Sequence, residues 1–426
     1  MKCTIEIYQQ GQWQVAAYFE PAADVGQRGY HSAGRLSYDV PYAGQFLLGG
    51  MAHAFSCRYP VSFEVHRTTV WPAFLLDILP SGAGRRFWLQ QLQLRDGAAA
   101  DWALLCKGAG NPVGNIRIRE AVIEPVAESG HPGFAYTEVL ERRDGFIEYA
   151  WQHGAPVAGS SGVQGDAPKF LLTQDRQQRW HADGALPDTA CQKHWLVKFP
   201  KSSRLADVRV LRNEAAYYRV AHWFGVRTGE ALRFENDALF IPRFDRVVHA
   251  GGLERLGVES VASLAGVSEF GAATSQNTYC RALALFTTNP QQELLEFVRR
   301  DVLNVALGNT DNHGRNTAVI RYADNRVLLS PLYDFAPMIL DPQGIARLAR
   351  WEQEEALGQP LWEEVGVFLQ TLGCESVAIA GLFAELAQTV PQLPQVMAAC
   401  GVDEALIAQV QPRIAAVSER LQAYQP

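Results

Sequence analysis

No two cysteines in this chain stand at C-x-x-C spacing. The seven present (Cys3, Cys57, Cys106, Cys191, Cys280, Cys374, Cys400) are scattered and odd in number. That argues against a disulfide framework or a thiolate zinc site, and for a reducing compartment. No apolar run reaches the roughly 18 residues that a membrane-spanning helix requires. The opening Met-Lys-Cys-Thr-Ile-Glu-Ile-Tyr has no apolar signal core. The expectation is a soluble, cytoplasmic protein without membrane contact. A basic excess is also missing, since 38 Lys and Arg face 45 Asp and Glu for a net charge of −7. A surface that binds nucleic acid along its whole length is normally basic, so direct nucleic-acid binding is not expected. Repeats and low-complexity tracts are absent. What remains is 48% hydrophobic and 19% charged over 426 residues, a folded chain too long for one ordinary core.

Residues 1–145 read as β-rich, with short strand patterns at Thr4–Tyr8, Trp13–Phe19, Arg35–Tyr38 and Ser62–Val65. Leu75–Leu89 reads as a turn feeding a helix, Asp101–Cys106 as a short helix and Val113–Ile118 as a strand. The glycines of Gly108–Gly114 superficially match a dinucleotide loop. The third comes one position late, Pro112 interrupts, and a strand follows where a helix is required. That reading is rejected. Over residues 146–245 a small glycine-rich loop, Val157–Lys169, runs into Phe170–Thr173. Trp195–Phe199 is a strand pattern holding Lys198 among apolar neighbours, and Val208–Phe224 has helical periodicity and contains Glu214. Leu232–Phe234 and Ala238–Phe244 alternate as a hairpin. Glycine-rich loop, lysine strand, glutamate helix, hairpin is the order of parts in the nucleotide-binding lobe of a kinase. Beyond Asp245 the pattern turns helical, notably at Asn277–Phe286, Gln291–Gly308 and the last seventy residues.

The chemistry concentrates between Leu303 and Asp334. Asp311 and Asn316 are separated by four residues, and Asp334 follows the strand-like run Val327–Leu332. Phosphoryl transfer with a magnesium nucleotide uses an aspartate to orient the attacking hydroxyl. An asparagine five positions on and a later aspartate hold the metal. No His-Arg pair precedes Asp311, and a polar turn capped by Asn and Asp would look the same. Lys198 is costly to bury without an anionic partner, although an edge-strand lysine can reach water. Glu214 can pair with it or face solvent. Lys169 offers a second cation. The loop around Ser160–Gly165 lacks both Gly-x-Gly-x-x-Gly and Gly-Lys-Ser/Thr. His313 supports the catalytic loop, lies by the metal, or is structural. Arg243-Phe244-Asp245 closes the hairpin where a kinase hinge cradles adenine, or is a charged strand end.

Taken together these stretches resemble the HipA family, serine/threonine kinases that act as toxins in toxin–antitoxin pairs. The resemblance runs over nearly the whole chain. It is carried by Leu79–Arg85, Trp102–Leu105, Val113–Ile116, Gly165–Lys169, Leu196–Pro200, Asn213-Glu214, Arg243–Arg246, Gly308–Asn316 and Pro331–Asp334. It implies an α+β, two-lobed protein-kinase-like fold with an extra N-terminal β-rich subdomain (1–145). A nucleotide-binding N-lobe (146–245) and an all-α C-terminal lobe (246–426) complete it. It implies ATP and Mg2+ as cofactors, Asp311 as catalytic base with Lys198 and Glu214 in support, and Asn316 and Asp334 on the metal. Val163, Gln164, Gly165, Lys169, Lys198, Arg243, Phe244, Asp245, His313 and Tyr333 would line the nucleotide site. A small DNA-binding antitoxin is the implied partner, and a protein such as an aminoacyl-tRNA synthetase the implied substrate. One departure concerns the serine whose autophosphorylation silences some relatives. Its position, seven before Lys169, is Gly162, with Ser160 and Ser161 just upstream. A kinase-shaped binding scaffold and a small-molecule kinase remain as alternatives.

Overall fold

Cys3–Gln9 has buried side chains along nearly its whole length, the mark of a strand covered on both faces. It pairs with Gln12–Pro21 and Ile116–Ile118 in a five-stranded sheet completed by Gly34–Tyr38 and Val65–Thr68, antiparallel throughout. Ile5, Ile7, Phe19 and Leu36 pack on Trp71, Phe74, Leu75 and Leu104, which come from short helices and loops between the strands. Glu6, in Cys3–Gln9, is buried but receives Arg117 Nε and Arg119 Nε at 2.7 Å each. This is a computed structural model, and it describes residues 1–123, 131–142, 144–152, 168–202, 204–249, 252–341, 344–353 and 359–424.

A second antiparallel sheet of five strands follows the order Trp180–Ala182, Lys169–Asp175, Cys191–Lys198, Ala238–Pro242, Arg233–Glu235. On one face Phe170, Leu172, Trp180, Val197 and Phe240 pack on Phe134, Val139, Phe146 and Tyr149. On the other, Leu239 meets Leu211 and Ala215 of the helix Leu205–Trp223. Asn213 and Glu214, successive on that helix, face different partners. Asn213 exchanges bonds with Asp403 at the start of the last helix (3.0 Å each way), while Glu214 turns to the sheet.

The C-terminal half is built on the helices Gln276–Phe286, Pro290–Leu307, Trp362–Thr371, Ser376–Thr389 and Glu404–Gln422 around one apolar core. It is not all-α. Gly257–Ser260, Ala318–Arg321 and Val327–Leu329 form a three-stranded antiparallel sheet, and Arg246–His249 pairs with Gly252–Arg255. Apolar runs this short do not distinguish strand from helix by periodicity, and the first strand finds its partner far along the chain. The N-terminal subdomain likewise holds helices at Ala73–Ile78, Gly82–Gln91 and Asp101–Gly108 beside its sheet. The strand expected at Ser62–Val65 starts at Val65, because pairing with Gly34–Tyr38 sets its register.

Buried charges join the subdomain to the rest. Glu259 accepts from Ser56 Oγ (2.6 Å), Cys57 N (2.7 Å) and Arg321 Nη1 (3.0 Å), and Arg321 Nη2 reaches the Phe55 carbonyl (3.1 Å). Glu259 and Arg321 are both about 1% exposed at the side chain. Removing one member of such a pair leaves the other charge buried, a cost of about 3–5 kcal/mol. Glu259→Ala should lower stability by about that amount, read from denaturant unfolding. A change below about 1 kcal/mol would show that Arg321 finds water or another partner once Glu259 is gone.

Candidate functional site

Lys169 and Lys198 lie directly opposite one another on neighbouring antiparallel strands. Like charges so placed destabilise a sheet, and both ammonium groups are largely buried. Carboxylates relieve the conflict. Lys198 Nζ donates to Glu214 Oε1 at 2.6 Å and also to Asp334, and Lys169 Nζ is 3.6 Å from the other Asp334 oxygen. Burial opposes the charge of Lys198, but Asp334 and Glu214 outweigh it and raise its pKa. Lys169 has the weaker partner, and burial lowers its pKa. Burial works against the Asp334 carboxylate too, yet the two lysines hold its pKa below the ordinary range. Asp334 has φ 53°, a left-handed conformation that aspartate tolerates better than most residues.

Asp311 is set by the end of a helix. Pro290 fills the first turn of Pro290–Leu307, and Gly308 ends it at φ 69°, the usual asymmetry of helix ends. The chain then turns back through Asn309, whose amide donates to Asn304 Oδ1 at 2.8 Å. Asn316 closes the loop by donating to the Asp311 carbonyl at 2.8 Å. Burial first, then the charge of Asp334, lifts the Asp311 pKa to about 7. Burial pushes His313 down to about 4, so its ring is neutral near pH 7. Its Nε2 lies 3.4 Å from Asp311 without hydrogen-bond geometry. Gly314 has no room for a side chain, since a Cβ would come within 2.4 Å of the Tyr279 ring.

A cavity of about 110 Å³ is lined by Lys169, Lys198, Leu196, Ile241, Phe244, Val258, Tyr333 and Asp334 among others. The Phe244 and Tyr333 rings are 5.9 Å apart, and the Tyr333 hydroxyl donates to the Arg315 carbonyl at 2.8 Å. Arg243 and Asp245 also border it, but their charges are engaged elsewhere. Arg243 binds Asp245 (2.6 Å) and Asp183 (2.6 Å), and Asp245 further accepts from Arg246 (2.6 Å) and from Gly114 N (2.7 Å). A second cavity of about 210 Å³ opens on the far side of Asp311 and His313, between Val267–Ala272, Tyr279 and Ile345–Leu348.

The structure thus brings Lys169, Lys198, Glu214 and Asp334 into one cluster. Asp311, His313 and Asn316 share a loop beside it, and Phe244 and Tyr333 flank the smaller cavity. Val163, Gln164 and Gly165, with Ser160, Ser161 and Gly162, lie outside the described residues. Two residues with no assigned part emerge as cavity walls. Asp77, from the N-terminal subdomain, receives Arg315 and both the amide (2.9 Å) and hydroxyl (2.7 Å) of Ser260. Arg315 stands inside the Asp311–Asn316 motif, but its partner is 238 positions away, beyond any spacing signal.

The donor set fits a hard cation completed by phosphate oxygens. Asn316 Oδ1 is buried and accepts no hydrogen bond, while its amide nitrogen is fixed. Asp334 supplies an ionised carboxylate, and magnesium typically takes one or two carboxylates plus substrate oxygens. Among the described residues no group of three or more His, Cys, Asp or Glu could hold a metal on its own.

The chain is therefore a mixed α/β protein whose antiparallel sheets close on a cleft of paired lysines and carboxylates. That fold is similar to HipA of Shewanella oneidensis MR-1, solved in a complex with HipB and operator DNA. The TM-score is 0.67 at 18% identity, covering 99% of this chain and 97% of that one. A smaller part is similar to the proinflammatory kinase CtkA of Helicobacter pylori, with a TM-score of 0.38 at 13% identity over 55% of this chain and 90% of that one. Comparison with curated proteins returns no match. The HipA-like C-terminal domain matches residues 161–393, more than half of the chain, and the chain belongs to that family.

The Arg243 cluster gives a testable pH dependence. Burial alone would raise Asp183 and Asp245, but Arg243 and Arg246, joined by His194 at Asp183 and the Gly114 amide at Asp245, together outweigh it and hold both below the ordinary carboxylate range. Folded pKa values below the unfolded value stabilise fully above about pH 4, and the stabilisation fades as pH falls toward the folded values. Denaturant unfolding from about pH 6 down to about pH 3 should show this loss. Arg243→Gln should be less stable at the upper end and show a shallower acid slope.

Proposed function

We propose that this protein is a HipA-type serine/threonine protein kinase dependent on ATP and magnesium. It would act as the toxin of a toxin–antitoxin pair on a cytoplasmic protein such as an aminoacyl-tRNA synthetase, with a small DNA-binding antitoxin as partner. The observation that carries the reading is the buried Lys198, held by Glu214 and Asp334, opposite Lys169 and beside Asp311. Two buried ammonium groups aimed at one cleft suit a polyanion, and preorganised charges of this kind stabilise charge in a transferring phosphoryl group. The HipB and DNA seen with the similar HipA support the partner. Among the described residues no helix is long and apolar enough to cross a membrane.

In this reading each side chain has a part. Lys198, steadied by Glu214, and Lys169 offset phosphate charge. Phe244 and Tyr333 flank the base. Magnesium, when bound by Asn316 and Asp334, would neutralise phosphate oxygens. Asp311 orients the acceptor hydroxyl and takes its proton, a task for which a pKa near 7 is well matched. His313, neutral, packs beside it and adds no competing cation.

Transfer of labelled γ-phosphate from ATP in a cell lysate, with identification of the labelled species, tests the assignment. Label on serine or threonine of a protein supports it. Label on a small molecule would move the activity to a small-molecule kinase, and ATP binding without transfer would leave a scaffold. Asp311→Ala should slow transfer by about 10²–10⁴-fold with ATP affinity kept, because Asp311 faces the acceptor side. Near wild-type turnover would remove Asp311 from the mechanism. Asp334→Asn should abolish the magnesium dependence of nucleotide binding in calorimetric titration. An unchanged dependence would mean that Asp334 is not a ligand.

A further inference from the structure

Asp301 lies on the helix Pro290–Leu307, two turns before Gly308, and is almost fully buried. Its carboxylate is shared by four donors from three segments. Oδ1 accepts from Asn312 Nδ2 (2.7 Å) and Gln276 Nε2 (3.1 Å), and Oδ2 from Trp351 Nε1 (2.6 Å) and Arg347 Nη2 (2.8 Å). Asn312 is the immediate neighbour of Asp311. Arg347 belongs to the segment whose Ile345, Ala346 and Leu348 wall the 210 Å³ cavity opposite Asp311 and His313. Gln276 starts the helix that carries Tyr279, the third side of that cavity, and its amide is bonded to the Arg350 carbonyl at 2.8 Å. One buried negative charge therefore fixes the floor and two walls of the same space.

We infer that Asp301 is a positioning residue that latches the 344–351 segment to the Asp311 loop and so shapes the acceptor site, a step that rests on the kinase reading above. The chemistry selects the residue types. A carboxylate offers acceptor sites on two oxygens, enough for an amide on one side and a guanidinium with an indole on the other. Arg347 supplies the compensating charge that keeps the carboxylate tolerable in the interior. An asparagine could not accept from all four, because one of its ends is a donor. Neither Asp301 nor Arg347 lines the lysine cavity, so the latch meets the acceptor side directly and the lysine cavity only through the far end of the Asp311 loop.

The test uses the full-length protein with Arg347→Met and Asp301→Asn. The acceptor probe is a degenerate peptide mixture with one central serine or threonine, and the partner-independent probe is hydrogen–deuterium exchange. Displacing an acceptor by a fraction of an ångström to an ångström costs up to about 10²-fold in rate. Both variants should lose about 10²-fold in kcat/KM for the peptides while the KM for ATP stays within about two-fold, with Arg347→Lys restoring part of the loss. Exchange should rise together in 309–316 and 344–351, and not in Cys191–Lys198. Because the residues share one network, the double variant should be no worse than the poorer single one. Unchanged peptide kinetics, or ATP affinity falling in parallel with peptide turnover, would overturn the inference while leaving the kinase reading intact. A wild-type protein that transfers to no acceptor would instead sink the kinase reading, and coupled exchange would still be required of the latch. Independent exchange in the two segments would sink the latch in either case.

Discussion

The conflict between Lys169 and Lys198 is what the rest of the structure answers to. Facing each other on adjacent strands, with most of their surface removed from water, the two ammonium groups cannot both stay charged without negative neighbours. The sheet itself supplies none. Glu214 has to come from the packed helix and Asp334 from the loop after the third sheet. Satisfying two cations thus requires both halves of the domain to be in place, and the cleft exists only when they are. The asymmetry between the lysines carries meaning. Lys198 holds two carboxylates and is firmly charged, whereas Lys169 has a longer contact and a lowered pKa, so it stands to gain more from an incoming anion.

The N-terminal subdomain takes part in the same arrangement. Asp77 holds Arg315 and Ser260, and Arg315 in turn follows Gly314 in the loop that carries Asp311. Asp245, which borders the cavity, is pinned by Gly114 of the subdomain. Burying charges across a junction is a poor source of net stability but leaves few alternative ways to seat the parts. The subdomain is therefore a wall of the site and not an appendage.

How much of this was legible follows from the range over which each interaction acts. Lys198 could be singled out because a lysine among Leu196, Val197 and Phe199 demands an anion, and Glu214 sits on the next amphipathic helix. Asp311, Asn316 and Asp334 were legible through spacing. At the hinge, Arg243 and Asp245 border the cavity as their place in the hairpin suggested, while their charges close on Asp183, Arg246 and Gly114. Sequence shows a charge but not what consumes it. The short strands of the third sheet escaped for the same reason, since Gly257–Ser260 acquires its identity only from Ala318–Arg321. Asp77 with Arg315, and Asp301 with Arg347, join segments far apart in the chain and left no local trace.

Burial acts on Asp311 and His313 in opposite senses with a single outcome. Desolvation disfavours the charged form of each, raising the acid to about 7 and lowering the imidazole to about 4. Asp334, equally buried, escapes because two lysines reach it. Two neighbouring carboxyl groups, Asp334 on the smaller cavity and Asp311 on the larger, therefore hold their protons very differently. Asp334 stays ionised across the physiological range, and under the kinase reading proposed above it would suit a cation, while Asp311 would take and return a proton. The separation depends on geometry and not on residue type. Without the two lysines, burial would raise Asp334 as it raises Asp311.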